Sequence, residues 1–147
     1  MLINLVLFLG TVAAMEAVAY LSHRFLMHGP LWFLHESHHV PHKGWFEKND
    51  LFGVFFSLPS IALIYLGTHG HPWALWVGLG MAAYGVLYFL FHDVVVHRRL
   101  RLPYRPSGAY MRRIIQAHLI HHKTHAKNGA VSFGFLYAPP LSSLRRE

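Results

Sequence analysis

Ten of the chain's 14 histidines fall into four short boxes. His23 and His28, and again His92 and His97, are His-x4-His pairs. His35, His38 and His39, and again His118, His121 and His122, are His-x2-His-His triplets. The order pair then triplet therefore occurs twice. Neutral imidazole is the commonest protein ligand for metal ions. Residues three and four apart share one face of a helix, so each triplet would turn three imidazoles to one side. A single buried histidine is ordinarily a hydrogen-bonded core residue, but that explanation does not extend to ten in a repeated pattern. The spacing predicts metal binding, and ten imidazoles are too many for one ion and suit two. The pairs fit an α-helix less well, because five residues leave the second ring about 140° from the first. Each pair must straddle one metal from a helix end or feed two different metals. Gly29-Pro30, directly after His28, suits a helix that stops there.

Two other chemistries compete for these residues. His35-Glu36-Ser37-His38-His39 satisfies H-E-x-x-H, the zinc metalloprotease pattern, with His35 and His39 on zinc and Glu36 as general base. That reading leaves seven box histidines idle, and the second triplet has Leu119 where a catalytic Glu would stand. Paired histidines could also carry haem in a membrane helix bundle. The chain has no cysteine, which excludes disulfides, Fe–S clusters and thiolate-ligated haem. A metal here must be held by nitrogen and oxygen.

The elements that would position the boxes are apolar. Of the 147 residues, 54% are hydrophobic and 13% charged, with mean hydropathy +0.31. This suits one all-α domain over residues 1–147: an integral membrane bundle of three to four spans under a polar, histidine-rich cap. Residues 2–21 are long enough to span, and without a basic leader or a clear cleavage site they do not read as a signal peptide. Glu16 lies inside that stretch, where a carboxyl group is expensive and faces the bundle interior. Residues 51–67 and 73–91 carry no charge, and as helices each is about 26–29 Å long. Only Thr68-His69-Gly70-His71-Pro72 separates them, so they form an antiparallel hairpin, with Pro59 expected to kink its first arm. His69 and His71 sit in that turn, far from the boxes, and are not expected to bind metal. His42 is expected to be a loop residue. Pro106-Ser107 can start a helix running to His122, with Ser107 as N-cap. Residues 131–141 are apolar but too short to span, and should lie against the bundle at the interface.

These lengths bring all four boxes to one membrane face. Nearly all Lys and Arg lie on that face too, which makes it cytoplasmic. The net charge of +7 is thus explained by lipid and topology, with no nucleic acid partner. Trp32, Phe33, Trp45 and Phe46 suit an interfacial aromatic belt. Gly78, Gly80, Ala82, Ala83 and Gly85 could serve close helix packing or make room for a ligand, with packing the expected use.

The four boxes in this order resemble those of the fatty acid hydroxylase superfamily of membrane di-iron enzymes. The segments NDLFGVFFSLPSIALIYLG, HDVVVHRR, AHLIHH and VSFGFLYAPP are similar to those of the bacterial β-carotene 3-hydroxylases, and the likeness runs from about Glu16 to Leu141. The resemblance implies O₂-dependent hydroxylation at C3 of β-ionone rings, taking β-carotene through β-cryptoxanthin to zeaxanthin. It also implies a bacterial cytoplasmic membrane, two iron ions and a ferredoxin-type electron donor. Carried over residue by residue, the ligands are His23, His28, His35, His38, His39, His92, His97, His118, His121 and His122, while His42 and His125 stay outside the set. Zinc remains a possible substitute, since imidazole suits both metals. An unactivated ring C–H needs an oxidant that side chains cannot supply, so the hard chemistry falls to the metals. Asp93 could orient His92, or pair with Arg98 or Arg99. Glu36 stands where the family has an apolar residue, and its role is open. A groove between spans would admit one ring at a time. Another di-iron lipid hydroxylase or a desaturase is the nearest alternative.

Overall fold

A computed structural model describes residues 1–41, 44–103 and 106–144. His42 lies outside the described residues. Among them there are helices and loops and no strand. The order is α1 (Leu2–Leu21), α2 (Trp32–His39), α3 (Leu51–Thr68), α4 (Pro72–Tyr88), α5 (Ala109–His121) and the short α6 (Leu141–Leu144). A 3₁₀ turn, Lys48–Asp50, leads into α3. Three helical stretches, Leu2–Met27, Lys48–Thr68 and Pro72–Val96, are long and apolar enough to cross a membrane. Their outer surfaces carry large apolar side chains such as Leu2, Phe55 and Ile61 in the open, as lipid-facing helices do.

The spans meet through small residues. On α4, a Cβ at Gly78 would lie 2.9 Å from the Ser60 carbonyl of α3, and one at Gly80 would lie 2.8 Å from the Phe8 carbonyl of α1. Glycine at these positions lets the backbones approach, and the Ser60 hydroxyl uses that approach to donate to the Gly78 carbonyl at 2.8 Å. Gly85 has open space around its Cα and takes no part. Gly70, with φ +100°, closes the α3–α4 turn, and Pro72 opens α4. α3 runs as one helix through Pro59.

The ends of α1 and α4 differ from the α-helical expectation. Both continue into π-helical turns, Ser22–Met27 and Phe89–Val96. In each, the second histidine of a pair donates its backbone N–H to the carbonyl of the first: His28 to His23 at 3.0 Å, and His97 to His92 at 2.9 Å. An i+5 to i bond stacks the two residues on one face, which removes the angular mismatch an α-helix would impose. α5 is capped at Gly108 rather than Ser107, whose carbonyl instead accepts from the Arg112 side chain. The remaining core lies beyond the spans, where Ile114 and Ala117 of α5 pack on Ala138 and Leu144. Residues 131–141 thus fold back over α5 and form no fourth span.

Candidate metal centre

The ten box histidines come together as two groups of five. His23, His28, His35, His39 and His121 form one, and His38, His92, His97, His118 and His122 form the other. Within each group one nitrogen per ring lies within 4.8 Å of all the others. Each group takes one π-turn pair, the i,i+4 residues of one triplet, and the middle residue of the other triplet. Sharing a helix face is therefore not sharing a group: His38 crosses to the second group and His121 to the first. The two groups abut, with the His39 and His122 rings stacked at 4.5 Å. The His-x4-His pairs are each kept whole within one group.

Seven of the ten rings are oriented through Nδ1. His23, His28, His39 and His121 face the carbonyls of Phe133, Lys127, Thr124 and Val131 at 2.8–2.9 Å. His35 faces Asn49 Oδ1 at 2.7 Å, His38 faces Glu47 Oε2 at 2.9 Å, and His92 faces Asp93 Oδ1 at 3.0 Å. Such oxygens accept, so Nδ1 carries the proton and Nε2 presents a lone pair to the centre of its group. Burial keeps the rings outside the spans neutral. It pushes His35 down to about 3 and His39 and His97 to about 4, with smaller contributions from neighbouring histidines and, at His97, from Arg99.

Those lone pairs face one another. In the first group Nε2 of His23 is 3.0 Å from that of His35. His35 to His39, His39 to His121 and His121 to His28 are each 3.2 Å. In the second group the facing pair is His38 to His92 at 3.0 Å, and His97 and His118 bring their Nε2 atoms to 2.9 Å with roles that depend on the tautomer. Nε2 of His122 is buried without a hydrogen-bond partner among the described residues. Facing lone pairs repel and cannot hydrogen-bond. Two imidazoles held at right angles, about 2.1 Å from one cation, would stand about 3 Å apart. The residues therefore fit one metal ion per group. The same packing leaves no room for a porphyrin plane between facing nitrogens.

The surroundings sort the remaining candidates. Asp93 takes both roles considered for it, meeting His92 and lying 3.7 Å from Arg99 Nε. Glu36 is exposed on α2. His69 and His71 are exposed in the far turn, and His125 lies outside both groups. Asn49 and Glu47 were not singled out by sequence reasoning. A usable signal existed, since acids are scarce and Glu47-Lys48-Asn49-Asp50 sits between a triplet and a span. The four carbonyls carry no such signal, because any residue type supplies one.

Glu16 has an interior structural role. Its Oε1 accepts the backbone N–H groups of Phe135, Leu136 and Tyr137 at 2.9–3.1 Å, and its Oε2 accepts the Tyr84 hydroxyl at 2.7 Å. This pins the segment whose Val131 and Phe133 carbonyls aim His121 and His23. Phe135, also pinned, packs against His23, His92 and Tyr88 and fills the face of the centre toward the spans. The cavity that reaches the histidines, about 490 Å³, opens on the opposite, loop side. Its walls include His38, His39, His97 and His122, with Val40, Pro41, Trp45 and Leu119 as apolar surface.

The chain is similar in sequence to known proteins. The family model for fatty acid hydroxylases matches residues 8–138, which covers all ten histidines. The chain belongs to the fatty acid hydroxylase family. It is 52% identical over 143 residues to a β-carotene hydroxylase of Pantoea ananas, covering 97% of this chain and 81% of that one. A β-carotene hydroxylase of Pseudescherichia vulneris is 50% identical over 146 residues, 99% of this chain and 82% of its own length. A chloroplastic β-carotene 3-hydroxylase of Arabidopsis thaliana is 35% identical over 88% of this chain, which spans 44% of that longer protein. No solved structure matches.

Proposed function

We propose that this member of the fatty acid hydroxylase family is a carotenoid β-ring hydroxylase. It takes β-carotene through β-cryptoxanthin to zeaxanthin by O₂-dependent hydroxylation at C3. The observation that carries the reading is the pair of five-imidazole groups with facing Nε2 lone pairs, in a chain about half identical to bacterial β-carotene hydroxylases. Two iron ions, one per group, would let O₂ be reduced with electrons from the donor and so supply the oxidant that an unactivated C–H needs and that no side chain here provides. The ligands are His23, His28, His35, His39 and His121 for one, and His38, His92, His97, His118 and His122 for the other.

The chain's own part is to gather ten buried or half-buried imidazoles and to hold seven of them in one tautomer, with Nε2 turned to the centre of its group. Phe135 keeps the span side dry and filled. The loop-side cavity has room for one β-ionone ring beside histidines of both groups. The three spans hold the whole chain, acting as one domain, in the bacterial cytoplasmic membrane, where the substrate dissolves. The metal end is cytoplasmic because the basic residues cluster there, and electrons come from a ferredoxin-type donor on that side.

Pigment analysis of β-carotene-producing bacteria with and without the chain tests this. Zeaxanthin and β-cryptoxanthin should appear only with it. Unchanged β-carotene, with the protein present in the membrane and iron supplied, would overturn the substrate assignment.

A further inference from the structure

The oxygens that orient the rings differ between the two groups. In the first group the acceptors are four backbone carbonyls and the Asn49 amide oxygen, all uncharged. In the second they are the carboxylates of Glu47 on His38 and Asp93 on His92. The charge balance of the chain makes this difference pointed. It has 13 Lys and Arg but only six Asp and Glu. Three of those six, Glu47, Asp50 and Asp93, surround Arg99. Arg99 Nη2 lies 2.9 Å from Glu47 Oε1 and 2.8 Å from Asp50 Oδ1. Glu47 keeps its other oxygen on His38, and its backbone N–H donates to Asp50 Oδ2 at 2.9 Å. One guanidinium thus fixes the carboxylates that aim two ligand rings of the second group.

An imidazole that donates to a carboxylate is a stronger electron donor at its other nitrogen than one that donates to a neutral oxygen. The nearby negative charge also favours a cation directly. On the dinuclear reading above, we infer that the two metal positions are unequal. The position of His38, His92, His97, His118 and His122 holds its ion more tightly, and Glu47 and Arg99 are the positioning residues that make it so. Neither Glu47 nor Arg99 is a metal ligand; each acts through His38 and its neighbours.

The test is iron release from the purified, iron-loaded protein in detergent under a strong chelator, read as iron remaining per chain against time. The wild type should lose two equivalents in two steps of one each. His39→Ala should abolish the fast step and His97→Ala the slow one, which assigns the steps. Glu47→Gln keeps an acceptor for His38 but removes the charge. It should speed the slow step roughly 10–100-fold and leave the fast one alone. Asn49→Asp gives His35 a carboxylate and should slow the fast step, so the inference stays testable if Glu47→Gln does not accumulate. Release of both equivalents in one phase would overturn the inference, as would equal acceleration of both steps by Glu47→Gln, the outcome of general loosening. Fewer than two equivalents in the wild type would overturn the dinuclear reading itself, and this inference with it.

Discussion

His38 and His39 are adjacent in sequence and belong to different histidine groups, each proposed to hold one metal ion. His38→Ala and His39→Ala should therefore each cost about one metal equivalent of two, and both should abolish hydroxylated product while the protein stays in the membrane. Metal analysis beside pigment analysis checks this, and full activity in either variant would sink the ligand assignment. Glu36→Gln, one residue from His35, should keep product formation because that side chain is exposed. A zinc protease mechanism would need it. The convergence of the boxes and the shared helix face of each triplet were legible from spacing alone. The exchange of His38 and His121 between groups was not, because it depends on how α2 and α5 face each other across the centre.

The elements carry two features that residue types announce only faintly. The first is the π-turn. A five-residue spacing looks awkward on an α-helix, and only the i+5 to i bond at His28 and His97 makes it regular. The second is the segment 123–140, whose carbonyls orient four rings of one group and which Glu16 ties down. Glu16→Leu strips the acceptor from three backbone N–H groups and the Tyr84 hydroxyl, a loss on the order of 3 kcal/mol or more. Limited proteolysis should then cut that segment faster, with one metal equivalent lost. Unchanged cleavage would remove Glu16 from its anchoring role. Ser132 lies between the Val131 and Phe133 carbonyls with φ +62°, a left-handed backbone. Ser132→Gly should relieve about 1 kcal/mol and raise the thermal midpoint, whereas Ser132→Val should lower it. Glu16 could be placed in the interior from its apolar neighbours. What it holds could not be read, since its partners are mostly backbone.

At the scale of the molecule, three apolar helices long enough to span put the two histidine groups and the α3–α4 turn at opposite ends. That arrangement was legible from length and hydropathy. The small contacts at Gly78 and Gly80 followed the small-residue pattern, though Gly85 did not. The chain lacks cysteine, so single introduced thiols report sidedness without background. His71→Cys should react with an impermeant maleimide in intact cells, and Lys127→Cys only after the membrane is opened. The reverse pattern would place the centre on the outer side. The most direct test of the dinuclear centre is the iron content of the purified wild-type chain, set against that of a variant with His38 and His39 both replaced by Ala. Two equivalents per chain in the wild type, neither tightly held in the double variant, and no Soret band are expected. A single equivalent in the wild type, or a haem spectrum, would contradict a centre built from ten histidines around two ions.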